Sequence, residues 1–160
     1  MKKRMMRGTV FAIIAGAVMT AFATDYTWTG GGSGWADKDN WGGTLAPDTG
    51  DKAIIPSGFT AEVADSDVAT VAALGDLEIQ SGGKVSFVNT GTALDLSANL
   101  SGAGTITSTN AATITLSGEN ENFTGPTTFV TTPVTVTSRH GLGGASRTVV
   151  HQYARLLFKG

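Results

Sequence analysis

His140 and His151 are the only imidazoles in this 160-residue chain, so they bound the acid–base chemistry on offer. A serine nucleophile needs a neighbouring base and an acid that orients that base. Ser138 and Ser146 lie near the histidines, but no Asp or Glu follows Glu121. A triad is therefore not expected, and both histidines read as turn or surface residues. The chain has no cysteine, which removes thiol catalysis and Cys-based zinc sites. Glycoside cleavage needs a pair of carboxylates. Glu78 and Asp95 are the candidates, but scattered surface acids meet that requirement on paper in most proteins, and no enzyme is predicted. Gly30-Gly31-Gly32-Ser33-Gly34 has no Lys-Ser/Thr after it and no helical pattern, so it reads as a turn, not a phosphate cradle.

Two groups could hold a ligand. Asp37, Asp39, Asp48 and Asp51, with Asn40 among them, supply oxygen at short spacing, as Ca²⁺ requires. Asp65-Ser66-Asp67 is a second pair. The twelve-residue EF-hand loop is absent and Asp is common in turns, so calcium is a candidate cofactor and no other is implied. Trp28, Trp35 and Trp41 are the only tryptophans. Their faces could stack on the apolar faces of sugars, which would make an extracellular glycan a partner. The preferred reading is packing, since most large aromatics are buried.

Location follows from the N-terminus. Lys2, Lys3, Arg4 and Arg7 precede an uncharged run from Thr9 to Ala23 that ends in Ala21-Phe22-Ala23. Basic start, apolar middle and A-x-A end make residues 1–23 a secretory signal peptide. A spanning helix needs about 20 apolar residues; this run is shorter, and no membrane span is expected once the signal is removed. Removal leaves seven basic and 13 acidic side chains, a net charge of −6. That balance argues against nucleic acid, whose phosphates need clustered Lys and Arg. The charge is uneven, because after Glu121 the only charged residues are Arg139, Arg147, Arg155 and Lys159.

The elements that must position these groups are strands. Thr and Val are abundant, and their branched Cβ atoms suit a pleated surface. Apolar residues alternate at Leu77/Ile79, Val85/Phe87, Leu94/Leu96, Ile114/Leu116, Val134/Val136 and Leu156/Phe158, mostly around a polar residue. One face is buried and the other wet. Ser81-Gly82-Gly83, Asn89-Thr90-Gly91, Ser101-Gly102-Ala103-Gly104, Ser117-Gly118 and Gly141-Leu142-Gly143-Gly144 supply the turns. Short strands at this spacing specify an all-β fold, either a sandwich or barrel, or a β-solenoid. Residues 24–50 are glycine-rich, lack alternation and carry the tryptophans. They read as an N-terminal cap over the open end of a solenoid, with rungs over residues 51–160.

Two stretches resemble known sequences. Tyr26-Thr-Trp-Thr-Gly to Asn40-Trp41, followed by Ala46-Pro-Asp-Thr-Gly-Asp-Lys-Ala-Ile-Ile55, resembles the opening of exported bacterial β-helix proteins. Leu116-Ser-Gly118-Glu-Asn120-Glu-Asn-Phe123-Thr-Gly125-Pro-Thr127-Thr128, then Val134-Thr-Val-Thr137 and Gly141-Leu142-Gly143-Gly144, resembles the autotransporter-associated β-strand repeat. One copy covers residues 114–158 approximately. Pro126 and Thr132-Pro133 depart from it where the family favours Gly.

The resemblance implies a right-handed parallel β-helix and the passenger part of a surface or secreted protein. It further implies that Thr127 and Thr128 ladder with neighbouring rungs, that Asn120 and Asn122 do so through their amides, and that Phe123 points inward beside Leu116. Its family ends in an outer-membrane translocator barrel, for which this chain has no room, so a fragment or truncated gene product is expected. The combined expectation is a non-enzymatic, exported, adhesin-like β-solenoid at the cell surface or outside the cell, periplasmic without a translocator. The alternative is a carbohydrate-binding or polysaccharide-degrading β-helix using the Trp-rich head.

Overall fold

The computed structural model describes residues 23–159 apart from 32, 33, 44, 145 and 146. Residues 1–22 of the expected signal lie outside the described residues. The chain winds into a parallel β-helix of about five turns, built from three stacked sheets. Sheet A takes β1 (Asp25–Thr27), β2 (Lys52–Ile55), β4 (Asp76–Ile79), β7 (Asn99–Gly102) and β10 (Asn122–Phe123). Sheet B takes β3 (Thr60–Val63), β5 (Lys84–Phe87), β8 (Thr105–Thr109), β11 (Thr127–Val130) and β13 (Thr148–Val150). Sheet C takes β6 (Leu94–Leu96), β9 (Ile114–Leu116), β12 (Pro133–Val136) and β14 (Arg155–Phe158).

From β2 the rungs run A, B, C, although no sheet A strand is described between β12 and β13. Register partners from β2 onward are 20 to 24 residues apart, the length of one turn. All described pairs are parallel, which excludes the sandwich alternative, whose sheets pair antiparallel. In the first rung a short helix, α1 (Val68–Ala72), replaces the sheet C strand and packs against β6.

Alternation turns directly into columns. Leu94, Ile114, Val134 and Leu156 stack on the inner face of sheet C, and Leu96, Leu116, Val136 and Phe158 form the next column. Ala61, Val85, Ile106 and Thr127 stack in sheet B beside Val63, Phe87, Ser108 and Phe129. That last column alternates small and large residues, which lets layers spaced at strand distance interdigitate. Most column members are buried, and they form one continuous core with the three tryptophans.

Candidate functional site

The head is built around the tryptophans. Their ring centroids are 5.0–5.5 Å apart, with Trp28 and Trp41 edge to face at 88°. The Trp35 indole N–H donates to the Glu62 carbonyl on β3, and the Trp41 indole donates to the Trp35 carbonyl, each at 2.7 Å. The exposures of Trp28, Trp35 and Trp41 are 6%, 0% and 5%. A sugar platform needs an open ring face; these faces are spent on one another and on the first rung. The glycine loop serves the same packing. The Gly34 carbonyl accepts from the Asp37 amide and the Asn40 side chain. A Cβ on Gly31 would lie 2.8 Å from the Asp39 carbonyl oxygen.

Most of the candidate calcium ligands bind backbone amides. Asp51 accepts the Thr24 amide on one oxygen and the Asp48 amide on the other. Asp37 caps the short 3-10 helix Lys38–Trp41 through the Asp39 amide. Asp39 pairs with Lys38 at 2.6 Å, and Asp48 accepts the Thr49 amide. Among the described residues no three His, Asp or Glu side chains gather where they could hold one ion.

Asp65 and Asp67 also separate. Asp65 reaches across one turn to the Gly91 and Thr92 amides. Partial desolvation pushes its carboxyl up, but these N–H donors outweigh it and hold the group below the usual carboxylate range. Asp67 is buried and accepts the Trp35 and Ala64 amides, tying the cap to the first rung.

The paired-carboxylate candidates fall on different sheets. Glu78 faces outward from sheet A, where it meets Lys52 at 2.7 Å. The Lys52 hydrogen bond, then that of Gln80, holds the Glu78 carboxyl low, while Glu78 holds the Lys52 ammonium high. Asp95 lies on sheet C and accepts from the Ser117 hydroxyl at 2.6 Å. His140 sits 3.3 Å from Glu119 and 3.9 Å from Glu121, acids of the preceding turn. Ser138 donates to the Gly118 carbonyl, away from the imidazole. His151 is exposed, and Ser146 lies outside the described residues.

Within the repeat-like segment, Phe123 is buried in a small void beside Leu116, as the resemblance implies. Thr128 stacks on Thr107, whereas Thr127 turns inward between Ile106 and Thr148. The expected amide ladder is absent at Asn120. This buried side chain accepts the Leu100 amide below at 2.7 Å and donates to the Gly141 carbonyl above at 2.8 Å. It pins three rungs through backbone, while Asn122 is exposed on β10. Gly125 has a steric role, since a Cβ there would lie 1.7 Å from the Gly104 carbonyl oxygen. Gly118 is equally tight, 2.1 Å from the Ala98 oxygen. Leu142, half-buried, packs on the core, and Gly143 takes a φ of 94°.

The tail closes the repeat-like segment. Among the described residues β13 pairs with β11 and β14 with β12. Val150, Tyr153, Leu157 and Phe158 are exposed there. A signal was present in the sequence: alternation continues to Phe158 while the surrounding charge becomes purely basic.

Comparison of the chain with family models, with curated proteins and with solved structures returns no match.

Proposed function

We propose that this chain is an exported, non-enzymatic structural β-solenoid, an adhesin-like passenger segment of the autotransporter-associated repeat type. It acts outside the cytoplasm through a rigid extended surface. One observation carries this reading: polar side chains that could do chemistry are tied to backbone of their own or adjacent turns. Asp51, Asp65, Asp67 and Asn120 all accept backbone amides. Such a use of carboxylates and amides favours stiffness over catalysis. The basic, apolar and A-x-A parts of residues 1–23 support export, and the Leu116–Gly144 pattern supports the passenger role.

Cell fractionation and N-terminal sequencing test it. The expected product begins at Thr24 outside the cytoplasm, is trimmed by protease added to intact cells, and releases no reducing sugar from polysaccharides. A cytoplasmic chain still beginning at Met1, or turnover of a polysaccharide, would overturn it.

A further inference from the structure

The cleavage motif and the fold meet at one residue. The A-x-A end of the signal puts the cut between Ala23 and Thr24, and Thr24 leads directly into β1. Its carbonyl accepts the Lys52 amide at 2.9 Å. Asp25, Tyr26 and Thr27 then pair with Lys52, Ala53 and Ile54. These bonds involve nothing before Thr24, so cutting the preceding peptide bond leaves them intact.

The Thr24 nitrogen faces a carboxylate. It lies 2.9 Å from Asp51 Oδ1, while Asp51 Oδ2 accepts the Asp48 amide at 2.8 Å. Asp51 is only 9% exposed. Both of these donors are neutral amides, and among the described residues no side-chain cation pairs with Asp51. The adjacent Lys52 turns to Glu78 instead. A buried carboxylate is ordinarily matched by a positive charge.

Hydrolysis of the Ala23–Thr24 bond by a signal peptidase supplies one. Water gives its hydroxyl to the Ala23 carbonyl carbon and a proton to the departing Thr24 nitrogen. At neutral pH the new Ala23 acid ionises and the Thr24 amine takes up a proton, becoming an ammonium.

We propose that Asp51 is the receiving site for this α-ammonium, and that removal of the signal locks the head of the solenoid. The inference rests on the export reading above and deepens it. The bond between Thr24 and Asp51 becomes charge-assisted and about twice as strong as its neutral form. Because Asp51 also holds the Asp48 amide, the gain reaches both ends of the cap, the entry into β1 and the turn into β2. A precursor that still carries its signal lacks the lock, so its head stays looser until export is complete.

The test is a thermodynamic cycle on the chain from Thr24 onward, which contains every described strand and helix. Three forms are compared: Thr24 with a free amine, Thr24 acetylated at nitrogen, and Thr24 preceded by Ala21-Phe22-Ala23. Each is made with Asp51 and with D51N, which keeps the shape of the side chain and one acceptor oxygen. Urea unfolding is expected to give the free-amine form an unfolding constant about tenfold smaller than the two blocked forms, the usual gap between charged and neutral hydrogen bonds. Hydrogen exchange at the Lys52 amide is expected to be slowest in that form. In D51N the three forms are expected to unfold alike. Circular dichroism matching the parent establishes that D51N is folded; if it is not, the blocked forms with Asp51 intact still decide. Equal stability of free and blocked forms, or an advantage of the free amine that survives D51N, would overturn the proposal. N-terminal sequencing of the cell product separates the two readings. A product still beginning at Met1 overturns export and this inference with it, whereas a product beginning at Thr24 with no coupling in the cycle overturns this inference alone.

Discussion

At the scale of single residues, the polar groups of this protein act as pins between turns. Asn120 is the clearest case, because it satisfies one donor and one acceptor on separate rungs while fully buried. Asn120→Ala leaves both unpaired, and each buried unsatisfied group costs about 1–3 kcal/mol. Urea unfolding is expected to show a loss of about 3 kcal/mol, within that range for two groups. Acid sensitivity belongs to the same scale. Asp65 and Glu78 are held below their ordinary values in the folded chain. Their stabilisation is present above the unfolded values near pH 4 and is lost as pH falls through the lower folded values. The melting temperature is therefore expected to drop below about pH 4, and Asp65→Asn is expected to flatten that drop. Lys52 behaves oppositely, its contribution fading only as pH rises above about 10.4. None of these pins was legible in the sequence. Asp65 and Asp67 read as a possible ion site because they are close in sequence, but Asp65 reaches amides 26 and 27 residues away and Asp67 one 32 residues away. Local spacing carries no information about which amide a turn will bring overhead.

At the scale of the element, the sequence was far more readable. Every alternating pair from Leu77/Ile79 to Leu156/Phe158 lies on a strand, because period two is imposed by the pleat itself. What alternation cannot show is which strands share a sheet, since that depends on where each turn lets the chain climb. Val68–Ala72 shows the other limit: a helix fills a strand position in the first rung, where only one neighbouring turn constrains it. Turn glycines were recognised as turns, but their purpose is the close approach of successive corners. Gly125→Ala would force its Cβ against the Gly104 carbonyl. Circular dichroism melts are expected to show a loss of at least about 3 kcal/mol, the upper range for overpacking, with the last two rungs failing first. Core position also sets cost. Leu116→Asp puts a charge between stacked neighbours on both sides, whereas Leu156 is only half-buried. The first is expected to destabilise by several kcal/mol and the second by clearly less, as judged by chemical denaturation.

At the scale of the whole molecule, stability is a sum over stacked neighbours. The head is closed by aromatic packing, with Trp35 fully buried at its centre. Trp35→Ala is expected to cost about 3–5 kcal/mol, the range for removing a buried large aromatic. Hydrogen exchange should then show the first rung opening while β8, β9, β11 and β12 stay protected. Uniform loss of protection would mean that the rungs do not behave as a linear array. The cap itself was legible, because three tryptophans in a glycine-rich segment without alternation have few other uses. The strand at Leu156 and Phe158 was legible too, from its alternation.

The three indoles are the chain's only tryptophans, and they sit together against the first rung. Their emission therefore follows the fate of that rung, while strand circular dichroism follows all of the rungs. A lag between the two signals during unfolding would report, in one sample, how independently the rungs give way.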